Sequence, residues 1–280
     1  MPVNEIDPSA WRVSWSGRLM YALFPYRRDI IQQNIQRVFG TKLNDKDQIR
    51  LIKAFYSHVI KGLKETISVH FLSDEALKSR VTVIGHEHFQ QVAADQRGLL
   101  ILTAHVGSWE FAPLGGLLNF KQFKGCFHFI RRKLNNRLME RIAFRRYERA
   151  GLKVITKENA LTYVSEALNK NHAVVFVLDQ HASLVNRDGI AVEFFGIKAG
   201  TYRSLATLSR HTGIPVIPAV SYRLPNGNHI LEFKQPIAWQ EEKSNQLGLY
   251  NNTLAYNQAI ERMILDHPEQ WQWWHKRWKL

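Results

Sequence analysis

Gly98-Leu99-Leu100-Ile101-Leu102-Thr103-Ala104-His105-Val106-Gly107-Ser108-Trp109-Glu110 is the stretch that decides the fold. Its first half is a short, unbroken apolar run, the pattern of a strand buried on both faces of a parallel sheet. The run delivers His105 at its C-terminal end. Gly107 then lets the chain turn, and Thr103 or Ser108 can help cap the helix that carries Glu110. In open α/β sheets ligands gather at the carboxyl ends of strands. A histidine there can take a proton from an attacking hydroxyl, because its ordinary pKa lies near neutrality. A carboxylate five residues later can fold back on one imidazole nitrogen, fixing the tautomer and stabilising the imidazolium. The expected catalytic pair is therefore His105 and Glu110.

Working outward, residues 1–80 read as a helical region. Within Asp47–Val69, apolar residues recur near helical spacing at Ile49, Ile52, Phe55, Tyr56, Val59, Ile60 and Leu63. From residue 81 to 280 the pattern becomes strands alternating with helices. Leu99–Thr103, Ala173–Leu178, Pro215–Val220 and His229–Phe233 are the clearest strands; Leu134–Ala150, Ala160–Lys170 and Leu249–Asp266 are helical. This alternation predicts an α/β fold: a central mixed, mainly parallel sheet flanked by helices, with a helical N-terminal cap.

Composition is that of a folded globular chain, with 45% hydrophobic and 22% charged residues. Cys126 is the single cysteine, so an intramolecular disulfide is excluded and a reducing compartment is expected. The formal charge of +14 favours acidic partners such as anionic lipid headgroups, nucleic acid or an acidic carrier protein. No apolar run approaches the roughly 20 residues needed to span a bilayer, and no signal-peptide pattern opens the sequence. The expected location is the cytoplasm.

Between Lys121 and Lys153 stand 11 basic residues against two acidic ones, Glu140 and Glu148. Arg137, Arg141, Arg145 and Arg149 fall at i, i+4 spacing and share a helix face. Such a face suits a phosphorylated acceptor, phosphopantetheine or an acyl carrier protein; it also suits simple solvation. Nucleic acid is not the expected partner, since no helix-turn-helix, zinc or single-strand-binding pattern accompanies the charge. At the N-terminus Trp11 and Trp15 stand one helical turn apart among Arg12, Arg18, Leu19, Met20, Leu23, Phe24, Arg27 and Arg28. They fit either insertion at headgroup level or packing on the domain. Gly85-His-Glu-His88 lacks zinc-site spacing, and no Gly-x-Ser-x-Gly elbow or phosphate-binding Gly loop occurs. No metal is expected.

Several ordered blocks together resemble the bacterial lipid A late acyltransferases, the lauroyl and myristoyl transferases of the wider lysophospholipid acyltransferase superfamily. His105-Val-Gly-Ser-Trp-Glu110 is similar to that superfamily's His-x4-acid motif, and Arg131-Arg-Lys-Leu-Asn-Asn136 to its basic-plus-Asn segment. Asp179-Gln-His, Val192-Glu-Phe-Phe-Gly196, Ala199-Gly-Thr201, Gly213-Ile-Pro-Val-Ile-Pro218 and the tail Pro268–Trp278 follow in order. The resemblance implies an acyltransferase that moves a fatty acyl chain from an acyl thioester, acyl-ACP or acyl-CoA, to a hydroxyl of a membrane (glyco)lipid. Arg132, Asn136, Arg137, Arg141, Arg145, Arg149, Asp179, Gln180, Glu193, Phe194, Phe195, Gly196 and Thr201 are its expected substrate-binding residues. It also implies no cofactor beyond the thioester co-substrate, and a peripheral place on the inner face of the cell membrane.

The sequence departs from the family pattern in three places. It shows no apolar run of transmembrane length near its start, has His181 where the family often has Asp, and has Glu193 where another residue is common. These leave the acceptor open to another glycolipid, an aminolipid or a lysophospholipid. The reading from a different class is a non-catalytic binder of anionic membranes or nucleic acid.

Overall fold

The computed structural model describes residues 6–108, 110–120, 125–131, 145, 147–148, 151–156, 160–185 and 188–279. The helical region comprises α1 (Trp15–Leu23), α2 (Arg28–Phe39), α3 (Asp45–Ser68) and α4 (Asp74–Lys78). Each start obeys local chemistry where a side chain is available: Ser14, Asn44 and Ser73 cap α1, α3 and α4 by accepting a backbone N–H two or three residues inside the helix. α1 lies so close on α3 that the Gly17 position has room for hydrogen only; a Cβ there would meet Ser57 Oγ at 2.0 Å.

The remainder runs β1 (Val81–Ile84), α5 (His86–Ala93), β2 (Leu99–Thr103), α6 (Phe111–Leu117), β3 (Phe127–Arg131), β4 (Leu152–Thr156), α7 (Ala160–Asn169), β5 (Ala173–Val177), β6 (Gly189–Phe194), β7 (Ile197–Tyr202), α8 (Ser204–Thr212), β8 (Val216–Arg223), β9 (His229–Phe233) and α9 (Asn245–Asp266). Seven strands form one sheet in the order β1-β9-β8-β2-β5-β3-β4. Every neighbouring pair is parallel except β8 with β9, so the sheet is mixed and mainly parallel, as the alternation predicts. β2 and β8 sit at its centre, and Leu99, Leu100 and Leu102 are wholly buried. β6 and β7 make a separate hairpin through Phe195 and Gly196, both at positive φ.

The buried residues of α2 and α3, among them Ile31, Ile35, Phe55 and Tyr56, join one core with those of the sheet. The C-terminal tail links the two regions. Trp271 and Trp273 are buried, and Asn34 of α2 donates to the carbonyls of Trp273 and His275. The C-terminal tryptophans thus belong to the core. Trp11 and Trp15 divide: Trp11 is buried, whereas Trp15 is 76% exposed.

Candidate active site

β2 and β5 are adjacent and parallel, with Thr103 opposite Val177 at the last paired position. His105 and Asp179 each lie two residues beyond, so the strands carry them side by side out of the sheet's carboxyl edge. His105 Nδ1 lies 2.8 Å from Asp179 Oδ1, and the His105 backbone N–H donates to Asp179 Oδ2 at 3.0 Å. Trp271 Nε1–H donates to the same Oδ2 at 2.9 Å. The Asp179 side chain is 1% exposed and that of His105 is 22% exposed. One imidazole edge is therefore held inside while the ring still reaches solvent.

Electrostatics follow from this placement. Burial alone would raise the Asp179 carboxyl, but the His105 charge and the three N–H donors outweigh it and bring the pKa down to about 2. Burial disfavours the imidazolium of His105, yet Asp179 more than offsets it and raises the pKa. His105 is thus built to accept a proton while Asp179 stays ionised.

Asp179, which the sequence reading did not pair with His105, is therefore a carboxylate held directly against its ring. The expected partner Glu110 stands at the N-terminal boundary of α6. The turn between them is drawn against the C-terminal tail. Val106 bridges to Trp271, Gly107 N–H donates to the Gln270 carbonyl at 3.0 Å, and Gln272 N–H donates to the His105 carbonyl at 3.1 Å. Gly107 has φ +69°, and a Cβ there would sit 2.2 Å from the Ser221 carbonyl oxygen.

A buried polar cluster supports this turn from α3 and β8. His58 Nε2 lies 3.2 Å from the Gly107 carbonyl, and its Nδ1 lies 2.9 Å from Arg223 Nη1. Both contacts are satisfied by a neutral ring that donates from Nε2 and accepts at Nδ1. Burial, reinforced by the Arg223 charge, lowers the His58 pKa to about 3. Glu65 binds Arg223 through both carboxylate oxygens and also meets His229 at 3.2 Å. Burial opposes its ionisation, but these partners hold it near about 2.

The other expected residues separate into three groups. Gln180 lies at the centre, its Nε2 3.5 Å from His105 Nδ1 and 3.4 Å from His275 Nε2. Thr201 and Phe194 are buried in the core, and Gly196 stands at the hairpin turn. Thr201 is buried beneath Arg277 and Asn257, whose side chains both donate to its hydroxyl. Phe194 is buried against Trp271, Trp278 and Arg277, and Gly196 forms the hairpin turn. Phe195 packs partly on the core and donates its amide to Glu261, while Glu193 is exposed and pairs across the hairpin with Lys198. Arg132, Asn136, Arg137, Arg141 and Arg149 lie outside the described residues; Arg145 is helical and exposed.

Sequence reading missed His275, Trp271 as a donor to Asp179, and the His58–Glu65–Arg223–His229 cluster. Trp271 and His275 lay inside the tail that carries the resemblance, a usable signal. The cluster joins α3 to β8 and β9 over more than 150 residues of chain, and no local pattern marks it. Among the described residues no group of three or more His, Cys, Asp or Glu is arranged to hold a metal ion.

Comparison with known proteins identifies the family. A family model for bacterial lipid A biosynthesis acyltransferases matches residues 10–280. The chain is 26% identical to the lipid A biosynthesis lauroyltransferase of Escherichia coli (strain K12), over 94% of this chain and 82% of that protein. It is likewise 26% identical to the palmitoleoyltransferase of the same organism, with the same coverage. With the lipid A biosynthesis acyltransferase of Haemophilus influenzae (strain ATCC 51907 / DSM 11121 / KW20 / Rd), identity is 22% over 88% of this chain and 74% of that protein. A histidine at the carboxyl edge of a mainly parallel sheet, within a match over nearly the whole sequence, places this chain in the bacterial lipid A biosynthesis acyltransferase family, and it is an acyltransferase.

Proposed function

We propose that this enzyme transfers a fatty acyl chain from an acyl thioester to a hydroxyl of a lipid A precursor, with His105 as general base. The observation that carries the reading is the His105–Asp179 pair. With Nδ1–H turned to Asp179, Nε2 is the imidazole nitrogen able to take the acceptor's hydroxyl proton. The oxygen attacks the thioester carbonyl, the carbon–sulfur bond breaks, and the departing thiolate takes the proton back from His105. The reaction is balanced without a further cofactor. Acyl carrier protein or coenzyme A serves as the thiol.

The Gly107 amide is engaged by Gln270. The Ser108 amide, which donates to none of the described residues, is left as the backbone donor on this turn for the oxyanion. Glu110, on the same turn, is the second carboxylate whose role the reaction tests.

Membrane attachment is the second element of the reading. No described helix is long and apolar enough to cross a membrane. Trp15, Leu19, Leu23 and Phe24 are nevertheless exposed in and just after α1, with Arg12 and Arg18 exposed beside them. Apolar rings among basic residues suit peripheral binding to an anionic membrane, and the basic headgroup-facing chain fits the inner leaflet.

Acyl transfer from a labelled acyl thioester to extracted lipids tests the function. His105→Ala abolishes it, and cells lacking the protein accumulate a lipid lighter by one acyl chain. Unchanged transfer by His105→Ala refutes the catalytic assignment. A wild-type protein that acylates no lipid, yet binds anionic vesicles, replaces it with a binding role.

A further inference from the structure

A pocket of about 480 Å³ opens beside the catalytic histidine. Arg27, Gln180, His181, His275, Lys276 and Lys279 form most of its wall, and no Asp or Glu side chain lines it among the described residues. These residues come from three distant parts of the chain: the α1–α2 connection, the segment after β5, and the C-terminal tail. Convergence of three permanent cations, Arg27 from one end of the chain and Lys276 and Lys279 from the other, differs from the solvated face of a single helix. It also differs from the Arg137–Arg149 stripe to which sequence reading assigned phosphate.

The pocket adjoins the reaction centre directly. Gln180, in its wall, reaches both His275 and His105, and the rings of His105 and His275 are 5.9 Å apart. Arg27 is already oriented: Nη1 donates to the Trp274 carbonyl at 3.2 Å, and the guanidinium lies 5.3 Å from the Tyr26 ring centroid. Its remaining donors are not engaged by the described residues. The local potential is positive enough to be felt by both histidines. Burial first, then the Lys279 and Arg277 charges, lowers the His181 pKa; burial, the charge on His105 and that on Arg27 lower that of His275 against the opposing pull of Asp179. An anion here relieves repulsion among the Arg27, Lys276 and Lys279 charges.

We infer that this pocket binds a phosphate group of the substrate and thereby holds the reacting molecule against His105. The inference rests on the acyl-transfer reading and specifies which chemistry its substrate carries. Arginine with two lysines suits a phosphate group, monoester or diester, whose free oxygens accept several charge-assisted hydrogen bonds at once. Two substrates could bring such a group: the glycolipid acceptor, or the phosphopantetheine arm of the thioester donor.

The test compares wild type with the double variant Lys276→Ala/Lys279→Ala, two exposed positions whose truncation leaves the core intact. kcat/KM is measured in two arms, with phosphorylated against phosphatase-treated acceptor, and with acyl-coenzyme A against acyl-pantetheine lacking phosphate. In the arm that names the source, wild type prefers the phosphorylated molecule by about tenfold or more, and the double variant brings that ratio towards one. An unchanged ratio in both arms overturns the inference. Inorganic phosphate titrated into the whole protein, read by the imidazole NMR signals of His181 and His275, decides the pocket independently of activity. Shifts in wild type that vanish in the double variant support it, and their absence overturns it. Failure of all acyl transfer in wild type overturns the proposed function instead.

Discussion

Replacing Asp179 with Asn is the perturbation whose outcome the geometry fixes most closely. Asp179 receives three N–H donors: the ring and the backbone of His105, and Trp271 Nε1. An amide has one acceptor oxygen. If that oxygen serves the His105 backbone and Trp271, the new NH2 faces His105 Nδ1, which must become an acceptor. The ring proton then moves to Nε2, and the nitrogen that should take the hydroxyl proton is occupied. The opposite rotamer leaves buried N–H groups facing an NH2, at a cost of about 1–3 kcal/mol each.

The charge is lost as well. The ion pair is separated by 2.8 Å, and an opposite charge that close shifts a pKa by about 1–3 units. Asp179 raises the pKa of His105, so removing it moves the acid limb of the kcat/KM–pH profile down by about 1–3 units. In serine-hydrolase triads the same carboxylate-to-amide change lowers kcat about 10⁴-fold, or roughly 5 kcal/mol of barrier. A loss of about 10³–10⁴ is expected here. The assay is acyl transfer across pH 5–9 at a temperature where circular dichroism shows Asp179→Asn folded, with Glu110→Gln alongside. Glu110→Gln is expected to leave the acid limb in place, because Asp179 is the carboxylate that raises the His105 pKa. A folded Asp179→Asn enzyme with kcat within threefold of wild type refutes the reasoning. So does a limb that moves in Glu110→Gln and not in Asp179→Asn.

Gly107→Ala places a Cβ 2.2 Å from a backbone carbonyl at φ +69°; thermal unfolding should show a loss of several kcal/mol, with acyl transfer reduced because His105 precedes the displaced turn. His58 is held neutral with its pKa lowered to about 3, against about 6.5 unfolded. Its contribution is complete above pH 6.5 and is lost as pH falls towards 3, by up to about 1.4 kcal/mol per unit. His105, with a raised pKa, keeps its contribution below about pH 6.5 and loses it only as pH rises above that, so it does not alter this slope. Asp179, lowered to about 2 from 3.8, adds a further loss only below about pH 4. Urea unfolding of His58→Gln from pH 7 to 4 checks this, since the variant should show a shallower slope than wild type. Trp15→Ala/Phe24→Ser removes two exposed rings from the α1 region and should weaken co-sedimentation with anionic vesicles without lowering the unfolding temperature.

Much of the architecture was legible in the sequence, because it rests on local patterns. Leu99–Thr103 is a strand in both readings, and of the positions read on the apolar face of α3, Ile52, Phe55 and Tyr56 are buried while Ile49 and Leu63 are exposed. The tail tryptophans, read as core, are buried apart from the partly exposed Trp274. The site was legible only halfway. His105 could be found from the strand that delivers it, and Asp179 and Gln180 from their block. Which carboxylate serves His105 could not, since proximity along the chain favoured Glu110.

The sequence by itself determined the mainly parallel sheet, the strand that presents His105, and a basic surface. Only the tertiary structure decided that His105 meets Asp179 across 74 residues of chain, that Phe194 and Thr201 support the core, and that Arg27, Lys276 and Lys279 converge beside the histidine. Hydrophobic periodicity is a property of neighbours along the chain. The pairing of strand ends is set by which strands lie side by side in the sheet, and that order, β2 beside β5, exists only once the chain has folded.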